Sequence, residues 1–223
     1  EFWAQIENIP DEAFWQVRQH CKRRLVAYII NRGRQKWQTA NVHPVQTIAS
    51  GVLLDPYALT IGFARRFATY KRGNLILRDY DRLLKLVTDA RKPVQFIFAG
   101  KAHPADEPGK QMIQEVYRAV KDARFGGRLV FLEDYDMNIA RYMVQGVDVW
   151  LNTPRRTREA SGTSGMKAAL NGVLNFSVLD GWWREGYNGS NGWAIGQDVD
   201  LHADPQVQDE ADALSLYDII ENE

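Results

Sequence analysis

The sequence predicts an α/β protein built on a parallel sheet with helices wound on both faces, and three observations carry that reading. Short apolar runs at 59–63, 94–99, 129–132, 147–151 and 175–178 have strand length without strict alternation, as expected of strands buried on both faces. Segments with helical spacing separate them, at 75–87, 110–125, 139–145 and around Lys167. Clusters of glycine, cations and hydroxyl residues follow the apolar runs directly, at the carboxyl ends of the strands, where open α/β sheets bind ligands.

The remaining elements flank this core. Over 11–32 the residues Phe14, Val17, Cys21, Leu25, Tyr28 and Ile29 recur every three or four positions, which predicts a helix with one buried stripe and a basic opposite face. Residues 33–56 read as loop, with Gly33, Pro44, Gly51 and Pro56 as breakers. Beyond 180 the chain is rich in Trp, Gly and Asp, then acidic, with a helix expected over 211–220. The expected organisation is a helical lead-in and linker (1–56), a Rossmann-like doubly wound unit (57–196) and an acidic tail (197–223).

Bulk composition narrows the function classes. Of 223 residues, 45% are hydrophobic, enough to bury a full core. The 28 basic residues balance the 28 acidic ones, which argues against nucleic-acid or membrane-surface binding driven by excess positive charge. No apolar run is long enough for a transmembrane helix. A single cysteine, Cys21, forms no internal disulfide, and a reduced, cytoplasmic setting is expected. No His or Cys pair has metal-ligand spacing, so no metal is expected. The start at Glu1-Phe2-Trp3, without methionine or leader, leads us to expect a piece of a longer polypeptide.

The chemistry concentrates in four turns. After the fourth strand, Glu159-Ala160-Ser161-Gly162-Thr163-Ser164-Gly165-Met166-Lys167 puts small residues ahead of a helix. Backbone amides and the helix dipole would make an anion site there. Lys167, between Met166 and Ala168, is expected among apolar side chains, where imine chemistry is accessible; the bland reading has it snorkelling to solvent. Neither a G-x-G-x-x-G nor a G-x-x-x-x-G-K-[ST] spacing is present.

After the first strand, Arg65, Arg66, Lys71 and Arg72 suit the clamping of phosphate oxygens. Their bland alternative is a solvated basic face pairing with Asp79 and Asp81. Gly100-Lys101-Ala102-His103 follows the second strand and reads equally as a ligand approach or a plain turn. Glu133-Asp134-Tyr135-Asp136 follows the third, with Asp136 as a helix cap and Tyr135 as a possible ligand contact. Asp180 follows the fifth strand, and the adjoining Trp182 and Trp183 face sugar or cover the sheet edge.

Taken together, the blocks Arg65-Arg66-Phe67-Ala68-Thr69-Tyr70-Lys71-Arg72, Gly100-Lys101-Ala102, Phe131-Leu132-Glu133-Asp134-Tyr135, Glu159-Ala160-Ser161-Gly162-Thr163 and Met166-Lys167 with Leu170-Asn171-Gly172 resemble the α-glucan (glycogen, starch, maltodextrin) phosphorylase family, carboxyl-terminal half. The resemblance covers about residues 11–196. It implies one half of a GT-B type fold, in which residues 57–196 bind cofactor and phosphate. It also implies pyridoxal 5′-phosphate held by Lys167 as a Schiff base. Arg65, Tyr135, Thr163 and Ser164 would contact the cofactor phosphate, while Arg66 and Lys71 grip the substrate phosphate. Glu159, Ser161 and Gly162 would hydrogen-bond the sugar. Arg65 stands where the family commonly has lysine, and Asp136 where many members have a cation; Gly181-Trp182-Trp183 points to a short bacterial or archaeal branch.

The implied reaction is reversible phosphorolysis of an α-1,4-glucan to glucose 1-phosphate, with the first Rossmann-like domain of the same polypeptide completing the site and this chain alone expected to be inactive. The alternatives are a retaining nucleotide-sugar glycosyltransferase of the glycogen synthase type, in which a carboxylate replaces Lys167, and a non-catalytic sugar-binding module.

Overall fold

The computed structural model describes residues 3–39, 54–196 and 204–223. Among them six strands form one parallel sheet: β1 (Leu59–Ala64), β2 (Val94–Ala99), β3 (Leu129–Leu132), β4 (Val149–Asn152), β5 (Leu174–Val178) and β6 (Gly192–Ile195). The order is β3-β2-β1-β4-β5-β6. The winding reverses between β1 and β4, the switch point at whose carboxyl edge open α/β sheets bind ligands. The doubly wound α/β class expected from sequence is the one observed.

Seven α-helices accompany the sheet among the described residues: α1 (Asp11–Thr39), α2 (Tyr80–Thr88), α3 (Glu107–Lys121), α4 (Met137–Gly146), α5 (Thr163–Leu170), α6 (Trp183–Gly186) and α7 (Pro205–Asn222). Strand alternation divides the core in two. Ile61, Phe63, Phe96, Phe98, Val149 and Leu151 face α2, α3 and α7, whereas Ile97, Ala99, Val130 and Trp150 face α1, α4 and α5.

Aspartates set several boundaries. Asp79, Asp106, Asp136 and Asp204 each accept a backbone N–H from the first turn of α2, α3, α4 and α7. Asp79 therefore divides the helix expected over 75–87 into a 3-10 turn (Leu75–Leu77) and α2. Asp204 and Pro205 start α7 earlier than the expected residue 211. The strand expected from 147 begins at Val149, because Asp148 turns its carboxylate onto the Thr60 amide at 2.8 Å. β6 and the short α6 were not anticipated; four residues led by a glycine give too little pattern.

The helix α1 corrects two expectations. It passes through Gly33 to Thr39 instead of ending at 32, and residues 40–53 of the expected loop lie outside the described residues. Its buried stripe is not the apolar one alone. Phe14 and Val17 are exposed, and Leu25, Val26 and Ile29 are buried with the cations Arg18 and Lys22. Arg18 donates to the carbonyls of Gln145 (2.6 Å), Asn171 (2.9 Å) and Val147, where α4 and α5 end. Helix ends leave carbonyls without intrahelical partners, and one arginine satisfies two ends at once. Lys22 pairs with Asp148 at 2.5 Å.

Candidate active site

The switch point between β1 and β4 is flanked by the segments that leave those strands. Arg65, the first residue past β1, is 7% exposed and reaches toward β4. Its Nη1 donates to Asn152 Oδ1 at the end of β4, and its Nη2 donates to Glu159 Oε2 at 2.6 Å. Lys71 is equally buried, and its Nζ donates to the same oxygen at 2.7 Å. One carboxylate, 9% exposed, thus bridges two buried cations and leaves the cluster with excess positive charge. The Lys71 ammonium also lies 4.7 Å from the Tyr70 ring centre.

The ionisation directions follow from this geometry. Burial lowers the Arg65 pKa from its ordinary value, opposed by Glu159. Burial alone would raise Glu159, but the Lys71 hydrogen bond and the charges of Arg65 and Lys71 outweigh it, so its net shift is downward. Burial raises the Tyr135 phenol, with Arg65 pulling the other way; that places this half-buried ring within the field of the cluster.

Backbone contacts hold Glu159 in place. Its amide donates to Asp180 Oδ2 at 2.8 Å, which gives the carboxylate after β5 a role in orienting the loop. Ser161 O accepts from Trp182 N at 2.8 Å, and a Cβ on Gly181 (φ 56°) would lie 2.6 Å from that oxygen. Only glycine suits such a position. Gly162 is left-handed (φ 78°) and starts α5 without any side-chain cap. A Cβ there would sit 3.5 Å from Glu159 Cγ and 4.0 Å from Asn152 Nδ2, so the beginning of α5 adjoins the cation cluster.

Of the residues singled out in the sequence, Arg65 and Lys71 both contact Glu159, Gly162 adjoins it, and Tyr135 feels the charge of Arg65. Arg66, Ser161, Thr163 and Lys167 are exposed, and Ser164 is half-buried, accepting from Trp150 Nε1 at 3.4 Å. Lys167 therefore does not lie among apolar side chains as expected; on α5 the buried positions are Gly165 and Ala168. The basic turn is not a solvated face, because three of its four cations are buried. The turn after β2 packs tightly against it: Phe67 N donates to Lys101 O at 2.9 Å, and a Cβ on Gly100 would lie 2.1 Å from Arg65 O. His103 stays at the surface. Asp136 caps α4 through Ile139 N at 2.7 Å, which accounts for an acid at that position. Among the described residues no group of three His, Cys, Asp or Glu could hold a metal ion.

Sequence comparison then decides the family. Residues 8–185 match the carbohydrate phosphorylase family. This chain belongs to it. Glycogen phosphorylase of Aquifex aeolicus is 52% identical over 221 residues, covering 99% of this chain and 31% of the relative. Maltodextrin phosphorylase of Thermococcus litoralis is 50% identical over 222 residues, covering 99% of this chain and 26% of the relative. Glycogen phosphorylase of Mycobacterium tuberculosis (strain H37Rv) is 44% identical over 218 residues, 98% of this chain and 25% of the relative. The phosphorylase chain therefore spans between a quarter and a third of the length of these relatives.

Sequence reasoning missed Asn152 and Ser177, and it singled out Arg72 as a phosphate-clamping cation without its contacts to α7. Asn152 and Ser177 are buried polar groups inside apolar strands, and no local pattern marks their purpose. Arg72 leaves the basic turn in the opposite direction, 2% exposed and left-handed (φ 46°). It donates to Thr153 O (2.9 Å), Pro154 O (2.8 Å), Asp209 (3.0 Å) and Asp212 (2.7 Å). These contacts tie α7 to the segments carrying Lys71 and Glu159. The acidic stretch, 137 positions away along the chain, gave no hint of that pairing. Trp183 is buried against the sheet and covers its edge, whereas Trp182 packs beside Gly165.

Proposed function

We propose that this chain is the cofactor- and phosphate-binding part of a cytoplasmic α-glucan phosphorylase, which converts α-1,4-glucan and inorganic phosphate reversibly into glucose 1-phosphate. The observation that carries the reading is the convergence of buried Arg65 and Lys71 on Glu159 beside the uncapped start of α5, the helix that bears Lys167. Two like-charged phosphates need such fixed cations to stand side by side.

The residues fit pyridoxal 5′-phosphate. Arg65 Nε is buried and has no hydrogen-bond partner among the described residues, an open donor for a phosphate oxygen. Without a side-chain cap, the α5 amides and dipole favour an anion. The exposed Lys167 offers its amine one turn further on. When bound, the cofactor supplies a phosphate that exchanges a proton with the substrate phosphate.

This chain's own groups do the rest. Arg65, Tyr135, Thr163 and Ser164 hold the cofactor phosphate. Lys71 and Arg66 hold the substrate phosphate, whose proton passes to the departing glycosidic oxygen as its own oxygen bonds to the anomeric carbon. Glu159, Ser161 and Gly162 bind the sugar hydroxyls, and the cations stabilise the oxocarbenium-like transition state. Residues 57–196 carry these groups, and the glucan subsites lie on another domain of the same polypeptide.

The test is glucose 1-phosphate formation from maltodextrin and phosphate by the complete polypeptide. Activity that needs pyridoxal 5′-phosphate and disappears in Lys167→Ala is expected, with little turnover from the 223-residue chain alone. Full activity of Lys167→Ala, or transfer from a nucleotide sugar, would refute the reading.

A further inference from the structure

Asn152 and Ser177 stand side by side in register on β4 and β5, only 2% and 1% exposed, among the buried polar groups at the carboxyl edge of the sheet. Burying polar groups there is costly unless each is hydrogen-bonded, and both are. Ser177 Oγ donates to Val178 O at 2.8 Å, so its single proton is committed and its oxygen can only accept. Asn152 must therefore present its NH2 to Ser177, at 3.0 Å, which leaves its carbonyl oxygen facing Arg65 Nη1. The relay fixes which end of the amide the guanidinium meets.

That orientation has a consequence for Arg65. Its guanidinium carries five N–H donors on three nitrogens: Nη1 donates to Asn152, Nη2 donates to Glu159, and Nε has no partner among the described residues. A neutral acceptor holds the fork without cancelling its charge, which a carboxylate at 152 would do. Lacking Asn152, the planar group is free to turn and give Glu159 a bidentate pair, closing the edge that now stays open.

We infer that Asn152, oriented by Ser177, is a positioning residue that holds Arg65 with its Nε edge open toward the phosphate of the cofactor. This rests on the functional reading above and adds a specificity element to it: the relay serves the phosphate group of the ligand and not its ring.

The experiment compares binding of pyridoxal 5′-phosphate and of pyridoxal, which lacks the phosphate, to the apo form of the complete polypeptide. Capture at Lys167 is read by borohydride reduction and peptide mass spectrometry across a ligand titration. Asn152→Ala is expected to weaken pyridoxal 5′-phosphate about tenfold, in the range of one charge-assisted hydrogen bond, while pyridoxal changes less than about twofold. Ser177→Ala, which keeps the amide but frees it to flip, should give a smaller loss of the same selective kind and serves if Asn152→Ala does not fold. In an Arg65→Lys background, where the point charge has no fork to aim, Asn152→Ala should cost less than about twofold.

Equal losses for the two ligands, or the same loss in both backgrounds, would overturn the relay while leaving the phosphorylase reading intact. If the wild-type protein captures neither ligand, the cofactor reading falls. Calorimetry with inorganic phosphate then judges the relay: Asn152→Ala weakening phosphate only when Arg65 is present supports it, and unchanged affinity overturns it.

Discussion

Lys71 Nζ and Glu159 Oε2 lie 2.7 Å apart although 88 positions separate them in the chain, and Arg65 reaches the same oxygen from the other side. The parallel sheet brings them together by setting the ends of β1 and β4 next to each other. Glu159 is therefore the counter-ion of both buried cations, a role separate from the sugar binding proposed for it.

Removing its charge exposes that second role. Glu159→Gln leaves two buried cations with a neutral partner, and the expected loss is about 3–5 kcal/mol in urea unfolding, as for a broken buried pair. The loss should depend on pH. Because the folded-state pKa of Glu159 is depressed, its stabilisation is complete above the ordinary glutamate range and disappears as pH falls through the depressed value. The gap between wild type and Glu159→Gln should close on acidification; a constant gap would rule out the ion pairs as its cause.

Arg72 predicts a structural effect of similar size. With four acceptors on one buried guanidinium, Arg72→Ala leaves Asp209 and Asp212 short of a partner and should cost about 3–5 kcal/mol. Arg72→Lys should recover only part, since an ammonium cannot reproduce the fork. Thermal unfolding of the two variants measures the difference, and full rescue by lysine would mean that charge alone matters.

Two glycines should respond oppositely to alanine. At Gly100 the new methyl would lie 2.1 Å from Arg65 O, a backbone atom with no room to retreat, so Gly100→Ala should destabilise by more than about 2 kcal/mol. At Gly33, inside α1, nothing lies within 4 Å, and Gly33→Ala should stabilise by about 0.5–1 kcal/mol through helix propensity. Chemical denaturation of both variants checks the pair. A destabilised Gly33→Ala would place the end of the helix before that residue.

Lys167 should separate folding from chemistry. Its side chain is exposed, so Lys167→Ala is expected to change stability by less than about 0.5 kcal/mol. The same variant should lose all borohydride-trapped pyridoxal 5′-phosphate by mass spectrometry. Trapping that persists would move the attachment to another amine.

Local pattern was enough to locate five of the six strands, because continuous apolar runs between glycine and aspartate turns have few other interpretations. It was also enough to single out Arg65, Lys71, Glu159 and the glycine-rich start of α5, since those residue types cluster just past strand ends. Its failures over the buried cations have one cause. Periodicity treats cations as solvent-facing, and Arg18, Lys22, Arg65 and Arg72 are buried because distant carbonyls or carboxylates receive them.

By itself, then, the sequence determined the doubly wound class and five of the six strands, and it marked the residue types that gather at the carboxyl edge, all of which follow from short-range spacing of apolar and small residues. Only the tertiary structure decided which charge meets which. The order β3-β2-β1-β4-β5-β6 brings Arg65 to Asn152 and Glu159 while turning Arg72 toward α7, and no single segment contains both halves of either pairing. Burial energy of a charge depends on its partner's position, which is a property of the fold and not of the neighbouring residues.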